Sequence, residues 1–343
     1  MVRAMKSFVL FVAAAVSLAP CYAADSLRIY VLDVEGGGST LVVAPSGQSM
    51  LIDSGSAGAA GDRDAKRIAA AMQDAGLKSI DYLFTTHYDG DHVGGAPDAN
   101  RVAHFTRFFD HGEIDSKWEQ NKGFEDRYKD YLAIAMNKRT IVKAGDTIPL
   151  RGVRVDVVAS QGKVLDKAIN GGGKANPFCK DAEVKPPNMT ENSQSAGVLV
   201  AFHKFTFLDV GDLTWDKEMN LACPVNKLGK VDLLVVSHHG LFQSSSPALV
   251  EAIQPRIAVM DNGAKKGGST PTFETLAKTP GLETLWQLHY SEEAGVEHNS
   301  AEEYIANPQG EDAAHYLKLT VNKNGTFTVF NSRTSKSKDY AAP

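Results

Sequence analysis

The stretch YLFTTHYDGDHVGG, residues 82–95, places four potential metal ligands within six residues. It starts with apolar residues that predict a short buried strand, Tyr82–Thr86, and the polar group follows directly. The potential ligands are His87, Asp89, Asp91 and His92. The three glycines in the stretch allow the backbone to fold tightly enough for these side chains to converge. Imidazole and carboxylate ligands with an open coordination position indicate a hydrolytic metal site, and a solvated loop that caps the next helix is the alternative.

Two more polar groups follow apolar runs farther along the chain. The predicted strand Phe205–Val210 leads into Asp212, and the predicted buried strand Val231–Ser237 leads into His238 and His239. Asp212 is either a metal ligand or the cap of a helix that begins nearby. Paired histidines at a strand end favour metal binding, although one of the two can serve only to orient the other.

Composition describes an ordinary globular chain of 343 residues, of which 43% are hydrophobic and 22% are charged. The net charge of −5 and the lack of a run of lysines and arginines argue against a binding surface for a nucleic acid. No repeat, low-complexity tract or linker divides the chain. We therefore expect one α/β domain after the N-terminal segment.

The N-terminal segment, residues 1–24, has the pattern of an export signal. Arg3 and Lys6 precede an apolar run that is too short to span a bilayer, and small residues follow it. We expect cleavage near Ala24 and an exported protein, periplasmic or secreted, with no membrane segment. Export leaves Cys179 and Cys223 in an oxidising compartment, where they form either a disulfide or two separate thiols.

Taken together, these motifs resemble the metallo-β-lactamase superfamily, in the branch typified by the hydrolase domain of ComEC-type competence proteins. The resemblance rests on His-x-Asp-x-Asp-His-x-Gly-Gly from His87, then Gly211-Asp212, then His238-His239-Gly240. The segments 32–38 and 51–55 match the opening motifs of the same family. The resemblance implies a four-layer αββα sandwich over residues 25–343, with a loop insertion near 161–193.

The resemblance also implies two metal positions at the edge where strand ends meet. His87 and Asp89 correspond to the first position, Asp91 and His92 correspond to the second, and Asp212 bridges them. The implied cofactors are one or two divalent ions, zinc or manganese.

Two more assignments come with the resemblance. Either His238 or His239 completes the second position, and Asp53 corresponds to a structural aspartate that ties strand ends together. In the mechanism expected for such a site, Asp91 orients the nucleophile, and the histidine pair, His239 in particular, supplies a proton to the leaving group.

This chain departs from the family pattern at three places. Asp89 stands where most relatives have a second histidine, which favours manganese over zinc. Glu191, Asn192 and Ser193 stand where many relatives have another histidine ligand, so the first position is expected to be weak. The segment 35–38 lacks the Gln and Asp of ComEC-type proteins, which weakens a role on nucleic acid.

The predicted function is an exported metal-dependent hydrolase in which a metal-bound hydroxide attacks a carbon or phosphorus centre. The substrate is a phosphodiester or an ester-like bond in a small molecule. A lactone or lactam hydrolase and a non-catalytic module with a degenerate metal site are the alternatives. His298 is a candidate substrate-binding residue in a polar loop, and residues 114–137 form either a lid or an amphipathic surface helix.

Overall fold

The computed structural model describes residues 25–114, 123–308 and 314–342. The predicted signal peptide and part of the predicted lid lie outside the described residues. Among the described residues, no helix has both the length and the apolar character needed to span a bilayer.

The strands are β1 (Leu27–Val31), β2 (Thr40–Val43), β3 (Ser49–Ile52), β4 (Tyr82–Phe84), β5 (Arg107–Asp110), β6 (Arg139–Ile141), β7 (Thr147–Ile148), β8 (Arg154–Ser160), β9 (Lys163–Val164), β10 (Lys174–Ala175), β11 (Gly197–Phe202), β12 (Phe205–Asp209), β13 (Val225–Asn226), β14 (Leu233–Val235), β15 (Ile257–Met260), β16 (Thr284–His289), β17 (Ile305–Asn307), β18 (Leu317–Val321), β19 (Phe327–Asn331) and β20 (Lys336–Tyr340). The helices are α1 (Ala59–Ala75), α2 (Ala96–Ala103), α3 (Phe124–Ala135), α4 (Trp215–Ala222), α5 (Pro247–Ile253), α6 (Thr270–Lys278) and α7 (Gly295–His298).

Eighteen of these strands form two large mixed sheets, and β10 pairs with β13 in a small separate sheet. The first has the order β20-β19-β18-β1-β2-β3-β4-β5-β6. The second has the order β17-β16-β15-β14-β12-β11-β8-β7, with β9 paired to β8. In each sheet the parallel strands lie together, so their carboxyl ends share one edge.

Alternate side chains of the strands build two different cores. In β1, Leu27, Ile29 and Val31 pack into the core between the sheets, whereas Tyr30 packs outward beneath the first helical layer. The outer face of the second sheet packs beneath a layer that includes α4, α5 and α6. Because both faces of each sheet are covered, the strands are almost continuously apolar. The predicted four-layer αββα sandwich is confirmed.

Two elements differ from the sequence-based expectation. The sequence predicts a hairpin over residues 316–331, but β20 adds a third strand to it and completes a meander. Tyr340 of β20 accepts a hydrogen bond from Trp286 Nε1 at 2.9 Å. The helix expected over 114–137 begins only at Phe124, and its buried face, with Tyr128 and Tyr131, packs against Tyr88. Within the described residues, this segment is therefore an amphipathic helix of the outer layer.

The long insertion near 161–193 is held to the body of the protein by a disulfide. Cys179 and Cys223 are bonded, so the alternative of two separate thiols is wrong. Asn176 supports the same region by donating hydrogen bonds to the carbonyls of Ala222 (3.0 Å) and Ala248 (2.8 Å). The insertion has few long elements of its own but is tied to α4 and α5.

Candidate metal centre

Asp53, just after β3, joins two strand ends and also orients a potential ligand. It accepts hydrogen bonds from the backbone N–H (2.8 Å) and the hydroxyl (2.7 Å) of Thr86, which follows β4. Its Oδ2 also lies 2.7 Å from Nδ1 of His92. This contact fixes the ring so that Nε2 of His92 is directed into the cluster, which is the role of outer-shell carboxylates at metal sites.

Four side chains converge on one position next to Asp53. Nε2 of His92 lies 3.4 Å from Oδ2 of Asp91 and 3.2 Å from Oδ1 of Asp212. Nε2 of His239 lies 3.3 Å from Oδ2 of Asp91 and 3.4 Å from Oδ1 of Asp212. One ligand atom from each residue lies within 4.8 Å of the others, which is close enough for all four to contact one ion. These four residues are among those that the sequence predicts for the second metal position.

His87 and His238 face Oδ2 of Asp212, and Asp89 lies beside His87. Nε2 of His87 lies 3.8 Å from Oδ2 of Asp89 and 3.8 Å from Oδ2 of Asp212. Nε2 of His238 lies 3.3 Å from the same Asp212 oxygen. The two carboxylate oxygens of Asp212 therefore point toward two different groups, as a bridging residue requires.

The histidine pair is divided between the two groups by its backbone. His238, His239 and Gly240 all have positive φ values, 56°, 54° and 83°. This tight left-handed turn directs one ring to each side of Asp212. His239 therefore lies with Asp91 and His92, near Oδ1 of Asp212. His238 instead faces Oδ2 of Asp212, on the side predicted for the first position.

Asn192 lies near His238, in the segment where the sequence comparison with the family pattern found no further histidine. Its Nδ2 lies 3.1 Å from Nε2 of His238. The adjacent Glu191 points away from the cluster, since it accepts hydrogen bonds from the Tyr88 backbone N–H (3.0 Å) and from Gln194 and contacts His111 at 2.8 Å. His238 thus lies beside the first position at the place left by the missing histidine.

The chemistry of the donor set fits divalent ions. His87 Nε2 and Asp212 Oδ1 are buried and have no hydrogen-bond partner among the described residues. Burial and then the charge of His92 lower the pKa of His87 to about 4, so its ring is neutral at pH 7 and keeps a lone pair for a metal. Burial and then the charges of Asp91 and Asp212 raise the pKa of Asp89 to about 6. A cation between these groups would offset that repulsion.

The interpretation of the aspartates as helix caps is wrong. The residue that precedes α4 at the capping position is Thr214, not Asp212. The corresponding residue for α2 is Gly95, which lies beyond Asp91. These carboxylates are therefore available to the cluster.

Gly211 and Gly38 are required where the two sheets meet at this edge. A Cβ on Gly211 would lie 2.7 Å from Cβ of Thr86, and the residue has a φ of 53°. A Cβ on Gly38 would lie 2.7 Å from Nδ1 of His92 and 2.8 Å from Oδ2 of Asp53. Glycine at position 38 therefore leaves room for the His92–Asp53 pair.

Sequence reasoning missed two residues that contact the cluster. Asp261, directly after β15, has its Oδ2 3.2 Å from Nδ1 of His239, and so supports that ring as Asp53 supports His92. Lys266, in the following loop, contacts Asp91 through its ammonium group and is about 41% exposed. Asp261 could have been predicted from its place directly after an apolar strand, as the other polar residues of the cluster were. The sequence around Lys266 has no pattern that predicts its contact with Asp91.

Two other histidines lie apart from the centre. His289 contacts Asp33 at 2.7 Å, and Glu35 completes a second group whose ligand atoms lie close together. The Arg67 guanidinium pairs with both carboxylates, at 2.8 and 3.2 Å, so a cation is already present and the group is a structural ion-pair network. The ring Nδ1 of His298 lies 3.1 Å from the Ala294 carbonyl of α7, and a substrate-binding role for His298 stays a prediction.

The comparisons with known proteins agree with this geometry. The family model of the metallo-beta-lactamase superfamily matches residues 33–159. Recombination protein 2 of Haemophilus influenzae, a ComEC-type protein, is 25% identical over 251 residues. That match covers 73% of this chain but only 26% of the relative, so the chain spans about a quarter of that protein's length.

Two solved structures are similar to part of this chain. The metallo-β-lactamase fold protein YhfI from Bacillus subtilis is 11% identical, with a TM-score of 0.44 over 76% of this chain and 96% of that chain. A subclass B3 metallo-β-lactamase from a soil metagenome is 13% identical, with a TM-score of 0.40 over 63% of this chain and 78% of that chain. The sequence match and the four-layer architecture show that this chain has the metallo-β-lactamase fold.

Proposed function

We propose that this chain is an exported metal-dependent hydrolase that acts on a phosphodiester or an ester-like bond. The observation that carries the proposal is the cluster of six imidazole and carboxylate side chains around Asp212. The residues are His87, Asp89, Asp91, His92, His238 and His239. A divalent ion held there lowers the pKa of a water ligand and polarises the bond to be broken.

Asp91 and His238 are the residues that we assign to the reaction itself. Asp91 is partly exposed at the mouth of the cluster and is placed to accept a hydrogen bond from an attacking water. His239 is only 1% exposed and its second ring nitrogen is held by Asp261, so it is poorly placed to reach a leaving group. His238 is 12% exposed, and we therefore assign proton delivery to His238 in place of His239.

Export is part of the same proposal. It is supported by the signal-like segment at residues 1–24 and by the disulfide, which is typical of oxidising compartments. Zinc and manganese both suit the donor set. Asp89 in place of a histidine favours manganese at the first position.

The test combines metal content with turnover. The purified mature protein is assayed with zinc or manganese on bis-p-nitrophenyl phosphate and on p-nitrophenyl acetate. We expect bound metal and metal-dependent cleavage of at least one substrate, with loss of cleavage in Asp212→Ala. The matched control, Asp130→Ala on the exposed side of α3, should retain full activity.

Two outcomes would contradict the proposal. Folded protein that binds no divalent ion would remove its basis. Bound metal without turnover of either substrate would favour the non-catalytic alternative.

A further inference from the structure

We infer that the groove beside His238 is a subsite for an uncharged aromatic or branched apolar group on the substrate. The inference rests on the proposed function and narrows it to small molecules with an ester, lactone or lactam bond. The groove has a volume of about 350 Å³. It is lined mainly by Lys185, Trp215, Phe242, Ser244, Pro271 and Thr275.

The groove adjoins the metal centre through Ser244 and His238. Oγ of Ser244, in its wall, lies 3.3 Å from Nδ1 of His238. Nε2 of the same ring lies 3.3 Å from Oδ2 of Asp212. A single imidazole therefore separates the groove from the bridging carboxylate, and a group in the groove would be attached close to the bond that reacts.

One wall of the groove is the strap, residues 180–190. The disulfide at Cys179 fixes one end of the strap, and the other end leads to Asn192 beside His238. Between these ends, the Glu183 carbonyl accepts a hydrogen bond from Nε1 of Trp215 at 2.9 Å. The ammonium of Lys185 donates to the Phe242 carbonyl at 2.9 Å. The strap is thus bound to both sides of the groove.

Half of the large hydrophobic residues exposed in the described part of the chain lie on the two segments that border the groove. Of the six large hydrophobic residues that are exposed among the described residues, three lie on the strap or the facing loop. They are Val184 (84%), Met189 (45%) and Phe242 (52%). Apolar exposure next to a concave site that also has a few polar groups is typical of small-molecule binding sites.

Charge argues against a phosphate backbone in the groove. Lys185 is the only cationic residue among the described residues that line it. Its ammonium lies 3.5 Å from the centre of the Trp215 ring and is also bonded to the Phe242 carbonyl, so it is not directed toward a ligand. Glu183 adds a carboxylate to the lining. An uncharged apolar group suits these walls better than an anion.

The test compares p-nitrophenyl phenylacetate with p-nitrophenyl acetate, which differ by one phenyl ring. With the metal-loaded protein, we expect a KM about tenfold lower for the phenylacetate, as burial of a phenyl ring implies. Trp215→Ala and Phe242→Ala should each abolish most of that difference without changing the KM for the acetate or the metal content. Phe330→Ala, in the other sheet, is the control and should change nothing.

A binding assay that needs no turnover separates this inference from the proposed function. Nile red, an uncharged apolar dye, should bind the wild type and the Phe330→Ala control alike, and at least fivefold more weakly to the two groove variants. If neither ester is cleaved but the dye binding behaves in this way, only the proposed hydrolysis fails. Equal binding and equal ester discrimination in all four proteins would overturn the subsite, as would a preference for bis-p-nitrophenyl phosphate.

Discussion

Lys265 and Lys266 are neighbours in the loop after β15, but only Lys266 contacts the metal centre. Its ammonium pairs with Asp91, whereas that of Lys265 is 80% exposed and lies 4.0 Å from Glu292. Two cations that share one carboxylate repel each other. At the scale of single residues, Lys266 is therefore expected to compete with a divalent ion for Asp91.

This competition predicts that Lys266→Ala binds zinc or manganese about fivefold more tightly than the wild type, because removal of a partly solvated charge is worth about 1 kcal/mol. Titration calorimetry measures the affinity. Lys265→Ala is the matched control and should bind like the wild type. Weaker metal binding in Lys266→Ala would show that the lysine supports the site.

The environment of Glu218, which is not a predicted metal ligand, predicts that the free energy of unfolding depends on pH. Its carboxylate accepts hydrogen bonds from the backbone N–H groups of Ser245 (2.9 Å) and Ser246 (2.6 Å). Burial raises the pKa of Glu218 from its ordinary 4.5 to about 7. A raised pKa in the folded state means that its contribution to stability is complete below pH 4.5 and is lost as the pH rises through about 7.

We therefore expect the free energy of unfolding of the wild type to fall, relative to Glu218→Gln, by about 2–3 kcal/mol between pH 4.5 and pH 8. Urea unfolding of both proteins across this range measures the difference. Glu274→Gln, on the exposed face of α6, is the control and should run parallel to the wild type. A constant difference between wild type and Glu218→Gln would contradict the prediction.

At the scale of elements, local sequence pattern predicted most strands and helices but not how the insertion is held. The sequence predicts a helix over residues 247–253 and a strand near residues 284–289. The helix α5 and the strand β16 have these bounds, since both are continuous apolar or amphipathic runs with clear ends. The strand β20, KSKDY, has the alternation of an exposed edge strand and few apolar residues, so its pairing partner decides its structure. The insertion depends on a cysteine pair 44 residues apart.

The disulfide predicts a change in stability without a change in metal binding. Removing a cross-link that closes a loop of this length is expected to lower the free energy of unfolding by about 2–4 kcal/mol. Chemical unfolding of the double variant Cys179→Ser/Cys223→Ser measures the loss. Metal stoichiometry should stay unchanged because no predicted ligand lies within the insertion, residues 161–193. Dithiothreitol should destabilise the wild type and leave the double variant unaffected. Loss of metal together with the disulfide would contradict this separation.

At the scale of the whole molecule, the metal centre joins the two halves of the sandwich. His87, Asp89, Asp91 and His92 follow a strand of the first sheet, and Asp212 and the histidine pair follow strands of the second. An ion bound by both groups is therefore a cross-link between the sheets, and it binds the folded state alone.

We expect zinc or manganese at about one hundred times its dissociation constant to stabilise the protein by about 2.7 kcal/mol, and so to raise the midpoint of thermal unfolding by about 5 °C. Differential scanning fluorimetry with and without a chelator measures the shift. Asp212→Ala should lose most of it. An equal shift in that variant would mean that the stabilising ion binds elsewhere.

The sequence by itself determined the fold class and the ligand-bearing strand ends, because each ligand group is local and directly follows an apolar run. The division of His238 and His239 between two sides of Asp212, and the contacts that Asp261 and Lys266 make with the cluster, were decided only by the tertiary structure. His92 and His239 are 147 residues apart, and Asp91 and Lys266 are 175 residues apart. Contacts at such separations depend on how two sheets pack and on the dihedral angles of one tight turn, and neither is encoded in a local pattern.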